Sequence, residues 1–134
     1  MTDFFSKLPP WLFTIITVIA ILWLTLAPKP LGDEAPMLFE GADKVVHAIM
    51  FGGLTAMILL DWQRKNRWQR ITWMFALIVA AVSSIFGIII EFAQLGMHMG
   101  RGFEQADICA DTIGAFAFAL IWMFLQNFWL QSDR

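Results

Sequence analysis

Residues 71–94 read ITWMFALIVAAVSSIFGIIIEFAQ. No charge interrupts Ile71 to Ile90, after which Glu91 and Gln94 close the run. At about 1.5 Å of rise per residue, a helix over this stretch crosses the roughly 30 Å hydrocarbon core of a bilayer. The stretch predicts a membrane helix with a carboxylate at its end.

Three more apolar stretches lie on either side of it. Trp11 to Ala27 is uncharged and is extended at its start by Leu8 and the Pro9-Pro10 pair. Val45 to Leu60 is interrupted only by His47 and begins near Ala42 or Asp43; Ile108 to Leu130 is interrupted only by Asp111. The expectation is an all-α integral membrane four-helix bundle, a single domain over 1–134 with spans at about 9–27, 43–61, 71–95 and 107–129. Composition agrees. The chain is 59% hydrophobic and 15% charged, against roughly 45–50% and about 25% in soluble proteins.

A net charge of −2 and the absence of a basic character exclude a nucleic-acid partner and make the lipid bilayer the first one. The lone Cys109 cannot form an intrachain disulfide. His47 and His98 are far apart and no Cys/His ligand spacing occurs, so neither a metal nor another cofactor is expected. The leader MTDFFSK, the long apolar run behind it and the lack of an A-x-A-like site predict a retained anchor rather than a cleaved signal.

Orientation follows from the loops. DWQRKNRWQR at 61–70 holds Arg64, Lys65, Arg67 and Arg70, four of the nine basic residues. By the positive-inside tendency it is cytoplasmic, and so are both termini, with Lys7 and Arg134. Trp11, Trp62, Trp68, Trp73 and Trp129 map to the same interface, which indoles prefer. The loops Pro28 to Ala42 and Leu95 to Ala106 then face outward; both are rich in glycine or proline and irregular.

Eight polar groups resist a lipid-facing reading: Asp43, Lys44, His47, Glu91, Gln94, Arg101, Asp107 and Asp111. The topology puts all of them at the outer side. Ionisable groups at membrane depth are costly and face a partner, a hydrated cavity or a ligand. Bland readings compete. Asp43 and Asp107 suit helix N-caps, Lys44 can snorkel, Thr112 can bond locally, and Glu104 and His98 read as solvated loop charges. Glu91 with Gln94 suits an interhelical hydrogen bond. Asp107, Asp111 and Gly114 share one helix stripe, on which glycine admits another backbone. Four acids stand against Lys44 and Arg101, with His47 adjustable. A proton, a charged His47 or a bound cation would balance them.

Three stretches in order, DKVVHAIMFGGL (43–54), EFAQ (91–94) and RGFEQADICADTIGA (101–115), resemble the VanZ-like membrane family. The pattern D-K-x-x-H, E-x-x-Q, R…D-x-x-x-(N/D)-x-x-G covers about two thirds of the chain. Two positions depart from it: Asp111 stands where asparagine is common, and Phe118 where a second glycine is common. The family's founding member is associated with teicoplanin resistance. The resemblance therefore implies an envelope-linked protein of the bacterial inner membrane.

Three functions stay open. In the first, the cluster is an outward pocket that binds or acts on an envelope component. Glu91, Asp107 and Asp111 are its carboxylates, and His47 is its proton carrier or general base. Lys44 and Arg101 hold an anionic lipid or glycan precursor. In the second, the cluster only fixes helix register in a structural or assembly subunit. In the third it serves a small proton-coupled transporter, against which stands the lack of acids or histidines in the inner halves of the spans. No nucleophile or phosphate-loop signature names a reaction.

Overall fold

A computed structural model describes residues 2–27, 41–97 and 104–131. These form five helices: α1 (Thr2–Lys7), α2 (Leu12–Leu26), α3 (Ala42–Lys65), α4 (Trp73–Gly96) and α5 (Gln105–Trp129). No strand occurs among the described residues. Helices α3, α4 and α5 are each long and apolar enough to cross a membrane; α2, apolar too, has 15 residues. At 1.5 Å per residue α2 is about 22 Å long, short of a full hydrocarbon core. The expected span at 9–27 is thus helical only from Leu12, because Trp11 takes a left-handed conformation (φ 63°) behind the two prolines.

Five hydrogen bonds between elements fix the packing directions. Lys44 and His47 at the start of α3 meet Asp107 and Asp111 at the start of α5, while Gln63 at the end of α3 meets Gln126 at the end of α5. The two helices therefore run parallel. Thr14 near the start of α2 meets Asp61 near the end of α3, so those two run antiparallel. Ile71, just ahead of α4, bonds Gln126, which sets α4 antiparallel to α5. The α3–α5 interface is the most extensive in the fold and α4–α5 the next.

Small residues make the close contacts. A Cβ on Gly114 would run into the Ala48 backbone, and one on Gly52 would run into the Phe118 ring. Phe118, where the family pattern carries glycine, thus finds its space on the facing helix. Ala56, Ala76, Ala80, Ala115 and Ala119 fill the α3–α4–α5 core around Leu59 and Trp122. A second cluster of Ile21, Phe51, Leu54 and Ile90 ties in α2.

The outside is the opposite of a soluble surface. Ile78, Val82, Ile85, Ile89 and Phe92 are exposed along α4, and Ile113, Ile121, Phe124 and Phe128 along α5. Continuous apolar area of this kind belongs against lipid. Polar side chains on the spans bond inward: Thr17, Thr25, Thr55, Ser84 and Thr112 each donate to the carbonyl four residues back. For Thr112 that is the local bond the sequence suggests.

The segment read as a cytoplasmic loop departs from expectation. α3 continues to Lys65, which buries Asp61 and Gln63. Asp61 Oδ2 accepts from the Thr14 backbone N–H (2.7 Å) and hydroxyl (2.8 Å), so it caps α2, whose own Trp11 provides no side-chain cap. Arg64, its side chain 5% exposed, pairs with Asp61 and lies 4.9 Å over the Phe13 ring. It also donates to the Phe5 (2.8 Å) and Leu8 (3.3 Å) carbonyls. One basic residue of the loop is therefore folded back to hold the N-terminal segment.

Candidate functional site

The polar residues at the opposite end of the helices fall into two linked groups. Lys44, in the first turn of α3, pairs with Asp43 (2.9 Å), Glu104 and Asp107. One turn deeper, His47 Nδ1 and Asp111 Oδ1 share a hydrogen bond of 2.9 Å, and His47 Nε2 lies 3.7 Å from Asp107. Asp107 touches both groups. The His47 ring stacks on Phe51 with centroids 6.5 Å apart, which fixes its plane.

Glu91 arrives from α4. It is fully buried; its Oε2 accepts the Glu104 backbone N–H at 3.4 Å, while Oε1 has no hydrogen-bond partner among the described residues. Asp111, 1% exposed, is in the same position: Oδ1 is held by His47, and Oδ2 has no partner among the described residues. His47, Glu91 and Asp111 each present one ligand-type atom such that all three lie within 4.8 Å of one another.

Glycine makes this approach possible. Gly87 stands one helical turn before Glu91, and a Cβ there would come within 2.6 Å of Asp111 Oδ2. Gly114, three residues after Asp111, lets α5 lie on the α3 backbone beside His47. The cluster is thus drawn tight by two missing side chains.

Several readings from sequence need correction. Asp43 and Asp107 are not N-caps: Gly41 (φ 81°) and Glu104 hold those positions, without a side-chain cap. Gly41 opens α3 with a left-handed turn that favours glycine. Glu104 is not a bland solvated charge, because it pairs with Lys44 and its backbone serves Glu91. Lys44 is engaged by three carboxylates, two of them exposed. Gln94 turns away from the cluster and donates to the Thr25 carbonyl at 2.7 Å, tying α4 to α2. Arg101 and His98 lie outside the described residues.

A neutral clasp at the other end has no counterpart in the sequence reading. Trp122 Nε1 donates to Gln63 Oε1 at 3.1 Å. Gln63 Nε2 donates to Gln126 Oε1 at 3.4 Å. Gln126 then takes the Ile71 N–H (3.0 Å) and donates to the Ile71 carbonyl (2.9 Å). A cavity of about 220 Å³ also opens at this end, bounded by Phe5, Leu8, Pro10, Asp61 and Arg64. Asp61 and Arg64 already serve one another and the α2 terminus, and Lys65, which also lines it, lies 5.7 Å over the Trp11 ring. The signal for Arg64 was present, an acid three residues before a base on one helix face.

Chemically, the α3–α4–α5 cluster brings buried carboxylate oxygens and a largely buried imidazole together. It suits holding a proton, a cation or a hydrogen-bond donor. A family model described as VanZ/LLP1 matches residues 4–126. No match was found among curated proteins or among solved structures.

Proposed function

The chain belongs to the VanZ/LLP1 family, and from that premise we propose that it is a multi-pass protein of a bacterial inner membrane whose polar cluster binds an envelope component from the outer side. α2 joins the three long spans as a fourth bundle helix, and both termini are cytoplasmic. The basic 61–70 segment and the tryptophans near the same helix ends support this orientation.

The observation that carries the reading is that the cluster's Glu91 Oε1 and Asp111 Oδ2, like Ser83 Oγ elsewhere on α4, are buried without a hydrogen-bond partner among the described residues. A network built only to fix helix register closes its hydrogen bonds, since each open one costs about 1–3 kcal/mol. A receiving site keeps acceptors open. Because Lys44 is saturated by carboxylates, the described part of the cluster receives hydroxyl, amide or ammonium donors of a glycan precursor or headgroup. An anionic portion falls to Arg101.

In a Cys109→Ala background, a membrane-impermeant thiol reagent labels Gln105→Cys and spares Arg67→Cys in intact cells; the reverse pattern overturns the orientation. Glu91→Gln and Asp111→Asn then lower the amount of co-purified envelope lipid or glycan precursor at unchanged membrane abundance. Loss of abundance in both variants instead assigns the cluster to structure.

A proton-coupled transporter fits less well. Asp61 does place an acid at the far end of α3, contrary to expectation, but it caps α2 and pairs with Arg64. Phe51, Leu54 and Leu59, all buried, separate it from His47 on the same helix.

A further inference from the structure

We propose that His47, Glu91 and Asp111 form a binding site for a divalent transition-metal cation of the Zn²⁺ or Mn²⁺ kind. The inference deepens the pocket reading, since it rests on the same cluster.

Three observations lead to it. First, one ligand-type atom from each of the three side chains falls within a 4.8 Å set, and the chains come from three different helices. Second, both carboxylates are buried, at 0% and 1% exposure, and each has one oxygen with no partner among the described residues. An open acceptor on a buried carboxylate calls for a proton or a cation. Third, His47 Nδ1 and Asp111 Oδ1 stand 2.9 Å apart. Adjacent ligands in a six-coordinate shell with bonds of about 2.1 Å have close to that separation. An ion there takes the place of the proton that otherwise bridges the two atoms.

Donor chemistry selects the class of ion. One imidazole with two carboxylates favours Zn²⁺ or Mn²⁺ over Mg²⁺, which prefers an all-oxygen shell rich in water. Three protein ligands also leave coordination positions open, as catalytic rather than structural sites do. An ion in this place turns an acid-lined pocket into one that accepts an anionic oxygen of a ligand. Lys44 does not offer that, being already paired.

The second acidic group, Asp43, Glu104 and Asp107, is not part of the proposal. Asp43 and Glu104 are exposed, and all three carboxylates already share Lys44 as an ion-pair partner.

The test uses the full chain, stripped with chelator and held in detergent or nanodiscs without added envelope ligand. Titration with Zn²⁺ gives one saturable site per chain and releases protons on binding, because a bound ligand atom cannot keep its proton. His47→Ala, Glu91→Gln and Asp111→Asn each weaken it by about tenfold or more, the loss expected when a metal site is disturbed. Asp43→Asn leaves the affinity unchanged, and excess Mg²⁺ does not compete. X-ray absorption of the zinc-loaded wild-type protein shows an oxygen and nitrogen shell with an imidazole contribution, and this decides the matter if the variants fail to fold. A sulfur shell from Cys109, the absence of saturable binding, or equal affinity in folded variants overturns the site. Zinc binding without co-purified envelope ligand leaves the metal site standing and removes the receptor reading; the converse removes only the metal.

Discussion

Gly114 on α5 rests directly on the backbone of Ala48 on α3, leaving no room for a β-carbon between them. The contact lies three residues from Asp111 and one from His47, so the distance across which those two side chains bond is set by main chain rather than by rotamers. Gly114→Ala must separate the helices, because a backbone carbonyl cannot rotate away. The expected cost is at least the ~1–3 kcal/mol typical of overpacking, read as a lowered unfolding midpoint in detergent. Gly53→Ala is the control: no atom lies within 4 Å of its position. Helix propensity makes that change neutral to stabilising, by about 0.5–1 kcal/mol.

Gly87→Ala tests the other close approach. The nearest atoms belong to the Asp111 side chain, which yields by rotating off His47. The fold survives, while the His47 imidazole loses its Asp111 partner, visible as a change in its ring resonances by NMR. In an Asp111→Ala background the same glycine substitution costs less, since only the residue-111 β-carbon, 3.1 Å away, still stands in its way. Equal costs in both backgrounds would show that the Asp111 carboxylate is not what Gly87 makes room for.

Lys44 meets acids of very different exposure: the Asp107 side chain is 13% exposed and that of Asp43 64%. Solvent screens the second pair far more than the first. A double-mutant cycle on Lys44→Met and Asp107→Asn is expected to show a coupling of roughly 1–2 kcal/mol, above the range of surface pairs. The cycle with Asp43→Asn gives a coupling close to experimental error. Reversed magnitudes would place the ionic centre at the exposed edge.

Asp61 and Arg64 together dock the N-terminal segment. Arg64→Met leaves Asp61 as a buried, uncompensated charge and frees the Phe5 and Leu8 carbonyls, at an expected cost of about 3–5 kcal/mol. Arg64→Lys recovers only part, since an ammonium cannot serve the carboxylate and two carbonyls in the planar way a guanidinium does. Hydrogen exchange over residues 2–8 checks the specific effect: protection falls there first and leaves α4 unchanged.

The spans were legible because unbroken apolar runs such as Ile71 to Ile90 admit few other structures, and the family was legible from the order of its polar motifs. His47, Asp107 and Asp111 were legible as anomalies; helix spacing placed each on the right face. What escaped were relations between helices. His47, Glu91 and Asp111 form a triad with no local spacing, so a search for ligand motifs passes over it. Gln63 and Gln126 are neutral and sit at the margins of apolar runs, where composition treats them as flanks. Arg64 was counted as loop charge because charge counting is blind to a side chain folding back one turn onto Asp61. Phe118 read only as a departure from the family's glycine, whereas the facing Gly52 supplies its space.

The parallel course of α3 and α5 has a consequence for the order in which the protein is made. Parallel neighbours cannot be laid down as a hairpin, so the chain must first travel back through α4. The partners of Lys44 and His47 are 63 and 64 residues downstream. When α3 enters the bilayer its cation and imidazole have no acids to meet, and Glu91 likewise reaches its place before Asp111 exists there. The polar cluster is therefore completed only when α5 arrives. Until then, Lys44, His47 and Glu91 stand without the Asp107 and Asp111 carboxylates that this last helix brings.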